Sequence, residues 1–198
     1  SFKREIAPVT ISTRKGDVTV EADELPRKAR PDKIPELRPA FSKDGTVTAA
    51  NASAISDGAA ALVMMRLSEA ERRGLNPLAK ITATAAHAHE PAYFTTAPVP
   101  AMRKVLEKAG WQAGDVDLYE INEAFAVVPM IAIKELGLSH DIVNVHGGAC
   151  ALGHPIGASG ARIMTTLIAA MEKNDVNKGV ASLCIGGGEG TAVAVERF

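Results

Sequence analysis

From residue 79 onward, strand-like and helix-like segments alternate in a regular order. Apolar residues spaced three or four apart indicate helices, and Pro100 and Gly110 mark the start and end of one of them. The segments are strand 79–88, helix 100–110, strand 116–121, helix 124–136, strand 142–145, helix 159–173, and strands 179–184 and 191–195. This β-α-β-α-β-α-β-β order predicts a layered α/β unit whose strand ends carry the functional site.

The first 78 residues lack this alternation. Residues 1–50 contain five prolines and scattered charges, and only 6–9 and 18–20 look like short strands. We expect this region to be a loop-rich excursion from the fold. Residues 57–65 form a continuous apolar run typical of a buried element, and residues 68–74 predict a short helix between Ser68 and Gly74.

Composition narrows the class of protein. Of 198 residues, 46% are hydrophobic and only 4% are aromatic, so alanine and glycine do much of the packing. The 22 basic and 23 acidic side chains leave a net charge of −1 without a basic stripe, which argues against nucleic acid as a partner. No apolar run approaches the roughly 20 residues that span a bilayer, so no membrane partner is expected. The sequence begins without methionine, and we expect that it starts partway through a longer protein.

Two glycine-rich loops carry the residues best suited to chemistry. The run 144–162 reads NVHGGACALGHPIGASGAR and includes His154, and the run 184–190 reads CIGGGEG and begins with Cys184. Glycine lets a backbone approach another group closely, and a fixed histidine can transfer protons near neutral pH. The loops therefore predict a thiol and imidazole site. Cys150 is interpreted as a small buried residue, and no metal site is expected because CxxC and HxxxH spacings are missing.

Four motifs together resemble the thiolase family. They are NASAISDGAA at 51–60, NEAFA at 122–126, GHPIGASGAR at 153–162 and CIGGGEG at 184–190, and they follow the family's order along essentially the whole chain. The resemblance implies the layered α-β-α-β-α architecture of thiolases, here as the C-terminal half with a mixed sheet. It assigns residues 1–54 to a loop domain that binds coenzyme A, 55–78 to the N-terminal domain and 79–198 to the C-terminal domain.

The same resemblance implies acyl transfer between coenzyme A thioesters, as condensation of two acetyl-CoA or as thiolysis of a 3-oxoacyl-CoA. It implies that His154 activates a nucleophilic cysteine and that Cys184 exchanges a proton with the α-carbon of the second acyl-CoA. Asn122 would hold a water that binds the thioester oxygen together with His154, and the Gly186 N–H would serve a second oxyanion hole. A thiolate base needs a lowered pKa. Glu123 is either a helix-start acid or a residue that orders the site.

A binding surface for coenzyme A is also implied by the resemblance. Ser53 matches the serine that bonds the pantetheine arm, Phe94 shapes the acyl pocket, and Arg27 lies near the position of an arginine at the nucleotide end. The residues that match the lining of the arm are Phe41, Ala49, Ala124 and Phe125. Coenzyme A is then substrate and product, and no separate cofactor is expected.

The family's nucleophilic cysteine lies in an N-terminal half of similar size, and neither Cys150 nor Cys184 matches its position. We therefore expect a partner segment, whether a second chain, a cleaved half or an omitted region, without which the 198 residues do not catalyse acyl transfer. Part of the apolar run 57–65 would then lack its packing surface. The resemblance further implies a homodimer or homotetramer, and two reduced cysteines suit the cytoplasm while leaving an organelle open.

Two other functions stay open at the level of sequence. The chain could be a non-catalytic acyl-CoA or lipid-binding module of the same fold that kept the site residues without the nucleophile. It could also be a condensing enzyme that acts on acyl carrier protein, although the intact motifs at 153–155 and 184–188 argue against this. Binding without turnover would indicate the module.

Overall fold

The computed structural model describes residues 2–198. Its main elements are helices and strands, and 3-10 turns lie between several of them. They are β1 (Val9–Thr13), β2 (Gly16–Val20), α1 (Leu25–Lys28), α2 (Leu67–Arg72), β3 (Ala79–Ala88), α3 (Pro98–Ala109), β4 (Leu118–Ile121), α4 (Val127–Leu136), α5 (Ala149–Leu152), α6 (Ser159–Lys173), β5 (Lys178–Ile185) and β6 (Glu189–Arg197). Within the described part of the chain, no helix has the length and apolarity needed to cross a membrane.

A four-stranded mixed sheet in the order β3-β6-β5-β4 forms the centre of the molecule. Strands β4 and β5 run parallel, whereas β6 pairs antiparallel with both β5 and β3. Because Ile121 lies opposite Ser182, the carboxyl ends of β4 and β5 meet at one edge of the sheet. This edge therefore collects the residues that follow the two strands, as the sequence predicts.

Helices cover both faces of the sheet. Helix α3 begins at Pro98 and ends at Ala109, and Gly110 caps it in a left-handed conformation (φ 70°) that favours glycine. Helices α3 and α4 bury one face of the sheet, and α6 buries the other. The side chains that fill these layers include Met102, Val105, Ile121 and Val128 on the first face and Leu118, Ile163, Leu167 and Val195 on the second. The layered α/β expectation is confirmed.

The predicted strand 142–145 is wrong. A 3-10 turn occupies His140–Ile142, and only a single bridge joins Val143 to Tyr119. The next residue, Asn144, has a left-handed backbone (φ 50°), which takes it out of an extended path. Its side-chain amide instead completes the pairing of β4, because Oδ1 accepts from the Ile121 N–H at 2.8 Å and Nδ2 donates to the Ile121 carbonyl at 2.9 Å.

Residues 57–65 do not form the buried element that their apolarity predicts. The segment has no regular structure, and Val63 is 89% exposed. Gly58 lies against Pro155, whereas Val63, Met64 and Met65 are exposed, so the second half of the run leaves apolar side chains open to solvent. The N-terminal region is loop-rich as expected, and its hairpin begins at Val9, later than the predicted strand 6–9.

Candidate active site

Asn122 lies directly after β4, at the edge where β4 and β5 end. Its backbone N–H donates to the carbonyl of Ser182 at 2.9 Å, which continues the parallel pairing by one residue. Its side chain is buried, with Nδ2 3.3 Å from Nε2 of His154 and Oδ1 without a partner among the described residues. Two sequence-predicted residues that are 32 positions apart are thus in contact.

His154 is fixed from two directions. Its backbone N–H donates to the carbonyl of Ala54 at 2.9 Å, and its Nδ1 lies 2.6 Å from Oγ of Ser159, the first residue of α6. The imidazole is partly buried, and burial, followed by the positive charge of Arg162, lowers its pKa from the ordinary value. The ring is therefore neutral near pH 7, the form in which a histidine can accept a proton.

Glu123 orders the glycine-rich loop that leads to His154. Its carboxylate accepts from the backbone N–H of Cys150 at 3.0 Å and from Nδ2 of Asn144 at 3.2 Å. A Cβ on Gly148 would overlap this carboxylate, so a side chain there would displace Glu123 from its hydrogen bonds. Of the two interpretations of Glu123, the structure supports the residue that orders the site.

Cys184 lies near the end of β5 and is buried against the core layer of α3 and α4. No hydrogen bond joins it to His154 or Asn122 in the described chain. Burial raises the pKa of its thiol to about 11, opposite in direction to the lowered pKa that a thiolate base needs. Gly186 begins the turn after β5, and open space lies where its side chain would be, so its backbone is accessible from that side.

The surroundings of Cys150 disfavour its thiolate form. Burial, followed by the negative charge of Glu123, raises the pKa of its thiol to about 12. This agrees with its interpretation as a small, partly buried residue.

Most of the residues expected to contact coenzyme A gather beside this edge. The Ser53 hydroxyl donates to the carbonyl of Ala124 at 3.0 Å. The ring of Phe125 stands edge-on to those of Phe41 and Phe94, with centroids 6.0 and 6.2 Å away. Phe41 is 76% exposed, so these rings form an open apolar wall. Ala49 is exposed in the loop before Ser53, and Arg27 is exposed on α1.

Sequence reasoning missed two contacts that support the site and one buried carboxyl on β4, two residues before Asn122. Ser159 supports His154, Asn144 supports Glu123, and Glu120 is a fully buried carboxyl 4.0 Å from Nη1 of Arg162. Burial raises the pKa of Glu120 to about 8. The signal for Glu120 was available, because a charged residue interrupts an otherwise apolar strand. The other two contacts join segments whose approach only the fold determines.

Comparisons with known protein families match both parts of the chain. The model described as "Thiolase, N-terminal domain" matches residues 1–68, and "Thiolase, C-terminal domain" matches residues 75–197. The acetyl-CoA acetyltransferase of Rhizobium meliloti (strain 1021) is 54% identical over 198 residues, which is 100% of this chain and 50% of that protein. The cytosolic acetyl-CoA acetyltransferase of Mus musculus is 51% identical over 99% of this chain and 50% of its own length.

Solved structures agree with these matches. The acetyl-CoA acetyltransferase of Bacillus anthracis superposes with a TM-score of 0.96 at 45% identity, covering 100% of this chain and 50% of that one. Human mitochondrial 3-ketoacyl-CoA thiolase gives a TM-score of 0.86 at 36% identity, covering 97% and 49%. The expected thiolase-like fold is confirmed, and the chain spans about half the length of the relatives it matches.

Proposed function

The chain belongs to the thiolase family, and we propose that it supplies one half of an active site for acyl transfer between two coenzyme A thioesters. The observation that carries the proposal is the 3.3 Å contact between the side chains of Asn122 and His154 at the sheet edge where β5 ends, one residue after Cys184. A buried amide, a neutral imidazole and a thiol at one edge are suited to stabilise an oxyanion and to move protons.

His154 acts first. Its Nε2 accepts the thiol proton of a cysteine from the N-terminal half, and the resulting thiolate attacks the carbonyl carbon of the acyl donor. The bond from that carbon to the leaving group breaks: coenzyme A leaves as a thiol with the proton from His154 when an acyl-CoA is the donor, and an enolate leaves when a 3-oxoacyl-CoA is the donor. The acyl group stays on the cysteine until a coenzyme A thiolate (thiolysis) or the enolate of a second acyl-CoA (condensation) attacks it and the cysteine sulfur leaves. A water held at the unpartnered Oδ1 of Asn122, together with His154, binds the thioester oxygen that gains charge in this half of the site.

Cys184 handles the proton at the α-carbon. In thiolysis of a 3-oxoacyl-CoA, attack of the cysteine breaks the bond between the α- and β-carbons and leaves an enolate of the shorter thioester. The Cys184 thiol donates its proton to that α-carbon, and in condensation its thiolate removes the same proton. Because burial raises its pKa to about 11, the resting thiol is protonated, which is the form that donates a proton in thiolysis. The N–H of Gly186 serves the second oxyanion hole.

The surface beside this edge holds the coenzyme A substrate, and no separate cofactor is required. Ser53 and the wall formed by Phe41 and Phe125 lie along the pantetheine arm, with Ala49 and Ala124 completing the lining. Phe94 limits the acyl group, and Arg27 approaches the nucleotide end. Binding of acetyl-CoA compared with longer acyl-CoA by calorimetry tests this assignment.

The nucleophile comes from an N-terminal half that packs on the exposed run 57–65. Two observations support this arrangement: the chain spans half of its relatives' length, and Val63 in that run is exposed. Residues 1–198 alone are then inactive. We further propose a homodimer or homotetramer of the complete protein in the cytoplasm, to be tested by analytical ultracentrifugation and cell fractionation.

The decisive experiment supplies the second half. Residues 1–198 are co-expressed with the N-terminal half of the Rhizobium meliloti relative, and thiolysis of acetoacetyl-CoA is followed by its 3-oxo thioester absorbance. We expect turnover by the purified complex only, and its loss in the His154→Asn and Cys184→Ala complexes. Cys150→Ala is the matched control and should retain turnover. Thiolysis by residues 1–198 alone, or by the Cys184→Ala complex, would contradict the proposal.

A second candidate is a non-catalytic acyl-CoA-binding module. It is favoured by one observation, namely that burial raises the pKa of both thiols in the chain, to about 12 for Cys150 and about 11 for Cys184. A stable complex of both halves that binds acyl-CoA but shows neither acylation nor thiolysis would support this alternative.

A further inference from the structure

We propose that Ser159 is a positioning residue that holds His154 in the tautomer with its proton on Nδ1, so that Nε2 stays the proton-accepting nitrogen. The inference rests on the proposed role of His154 as a base. Ser159 is fully buried at the first position of α6, five residues after His154. Its Oγ has two partners in the described chain, Nδ1 of His154 at 2.6 Å and the carbonyl of Pro155 at 3.1 Å.

The direction of these hydrogen bonds follows from the inventory of donors. A carbonyl oxygen only accepts, so the single hydroxyl proton of Ser159 is used when Oγ donates to Pro155. A lone pair of Oγ then accepts from Nδ1–H of His154. On the other side of the ring, the bare Nε2 accepts from Nδ2 of Asn122 at 3.3 Å. This arrangement makes three hydrogen bonds.

The opposite tautomer makes fewer bonds in the same geometry. Its bare Nδ1 would take the only proton of Ser159, and the bond to Pro155 would be lost. Its Nε2–H would need the Asn122 amide turned so that Oδ1 faces the ring. Two bonds would remain in place of three, and the difference of one buried hydrogen bond favours the Nδ1–H form.

The arrangement also suits the protonated ring. When Nε2 gains the thiol proton, it gives up the hydrogen bond from Asn122 Nδ2. Nδ1–H keeps its acceptor on Ser159, and that bond becomes charge-assisted and stronger. The hydroxyl does not have to rotate, because the Pro155 carbonyl that orients it is itself held by the N–H of Ala158 at 2.7 Å. Ser159 therefore prepares the base for proton transfer without touching the substrate.

The test reads the tautomer directly. In the complex of both halves, histidine is labelled with 15N, and the imidazole nitrogens are recorded by long-range proton–nitrogen NMR without substrate. The His154 signals are assigned by their loss in the His154→Gln complex. We expect a pyrrole-type Nδ1 and a pyridine-type Nε2 at neutral pH. The reverse pattern overturns the proposal whether or not the complex turns over, so this result is distinct from a failure of the proposed function.

Variants then connect the tautomer to the chemistry. Ser159→Ala removes the acceptor, and we expect a mixture of tautomers and an acylation rate about 10- to 100-fold lower with little change in KM. Ser159→Thr keeps the hydroxyl and should restore the single tautomer and the acylation rate. The matched control is Thr165→Val, because the Thr165 hydroxyl also donates to a backbone carbonyl of the same helix, that of Ala161, at 2.9 Å. We expect this variant to change neither the tautomer nor the acylation rate. An unchanged His154 spectrum in Ser159→Ala would refute the proposal, and the wild-type spectrum decides the tautomer even if that variant fails to fold.

Discussion

Replacement of Asn144 by alanine is expected to destabilise the chain strongly, because one side chain completes the edge of β4. Ile121 is fully buried, and its N–H and carbonyl are both paired with the Asn144 amide. Leaving two buried backbone groups unpaired costs about 1–3 kcal/mol each. Alanine at φ 50° adds about 1 kcal/mol of backbone strain. The sum is about 3–7 kcal/mol, a large share of the roughly 5–15 kcal/mol that stabilises a typical domain.

The free energy of unfolding is measured by urea titration with the fluorescence of Trp111, the single tryptophan, which is buried in the same core layer as Ile121. Asn144→Gly loses the same bonds without the strain and should be about 1 kcal/mol more stable than Asn144→Ala. Asn174→Ala is a further control, because that side chain makes a single bond to the Ala170 carbonyl at the end of α6. A value for Asn144→Ala within about 0.5 kcal/mol of the wild type would refute the reasoning.

Three further predictions concern the glycine-rich loop at Gly148, the exposed run 57–65 and the buried carboxyl of Glu120. Gly148→Ala should lower kcat of the two-half complex at least about tenfold because the new Cβ displaces the Glu123 carboxylate, whereas Gly157→Ala, which has open space, should not. Val63→Asp should weaken association of the two halves at least about tenfold in a binding titration, while changing the stability of residues 1–198 by no more than about 0.5 kcal/mol. Because burial raises the pKa of Glu120 from 4.5 to about 8, the folded chain keeps a proton that the unfolded chain loses. The free energy of unfolding of the wild type should therefore decrease as the pH rises from 4.5 to about 8. Thermal melts of Glu120→Gln should show a smaller decrease over the same range. Equal pH dependence of the two proteins would contradict the assignment.

The local sequence pattern predicts correctly the helices and strands that pack against other parts of this chain. Residues 79–88 and 159–173 have the predicted bounds, because their apolar pattern and flanking residues agree with the faces they bury. The predicted helix 124–136 starts three residues before the observed helix α4, which begins at Val127. Residues 124–126 are instead held by the segment before Ser53, for example through the N–H of Ala126 and the carbonyl of Asn51 at 2.8 Å.

Contacts between segments that are distant in sequence could not be predicted from the local pattern of residues. The apolar run 142–145 looked like a strand, but a side-chain amide of Asn144 replaces the backbone pairing there. The apolar run 57–65 predicts a buried element, but it has no regular structure and Val63 in it is exposed. The motifs identified His154 and Asn122, whereas the support that Ser159 and Glu123 give depends on geometry that only packing fixes.

Acylation of the N-terminal half is the most direct test of the central claim that this chain supplies the base of a coenzyme A acyl-transfer site. The purified two-half complex is incubated with acetyl-CoA and stopped with acid, and the mass of each half is measured. We predict an acetyl group on a cysteine of the N-terminal half with the wild-type chain and with Cys184→Ala, and none with His154→Asn. Acetylation that proceeds equally with His154→Asn, or that appears on Cys150 or Cys184, would contradict the claim.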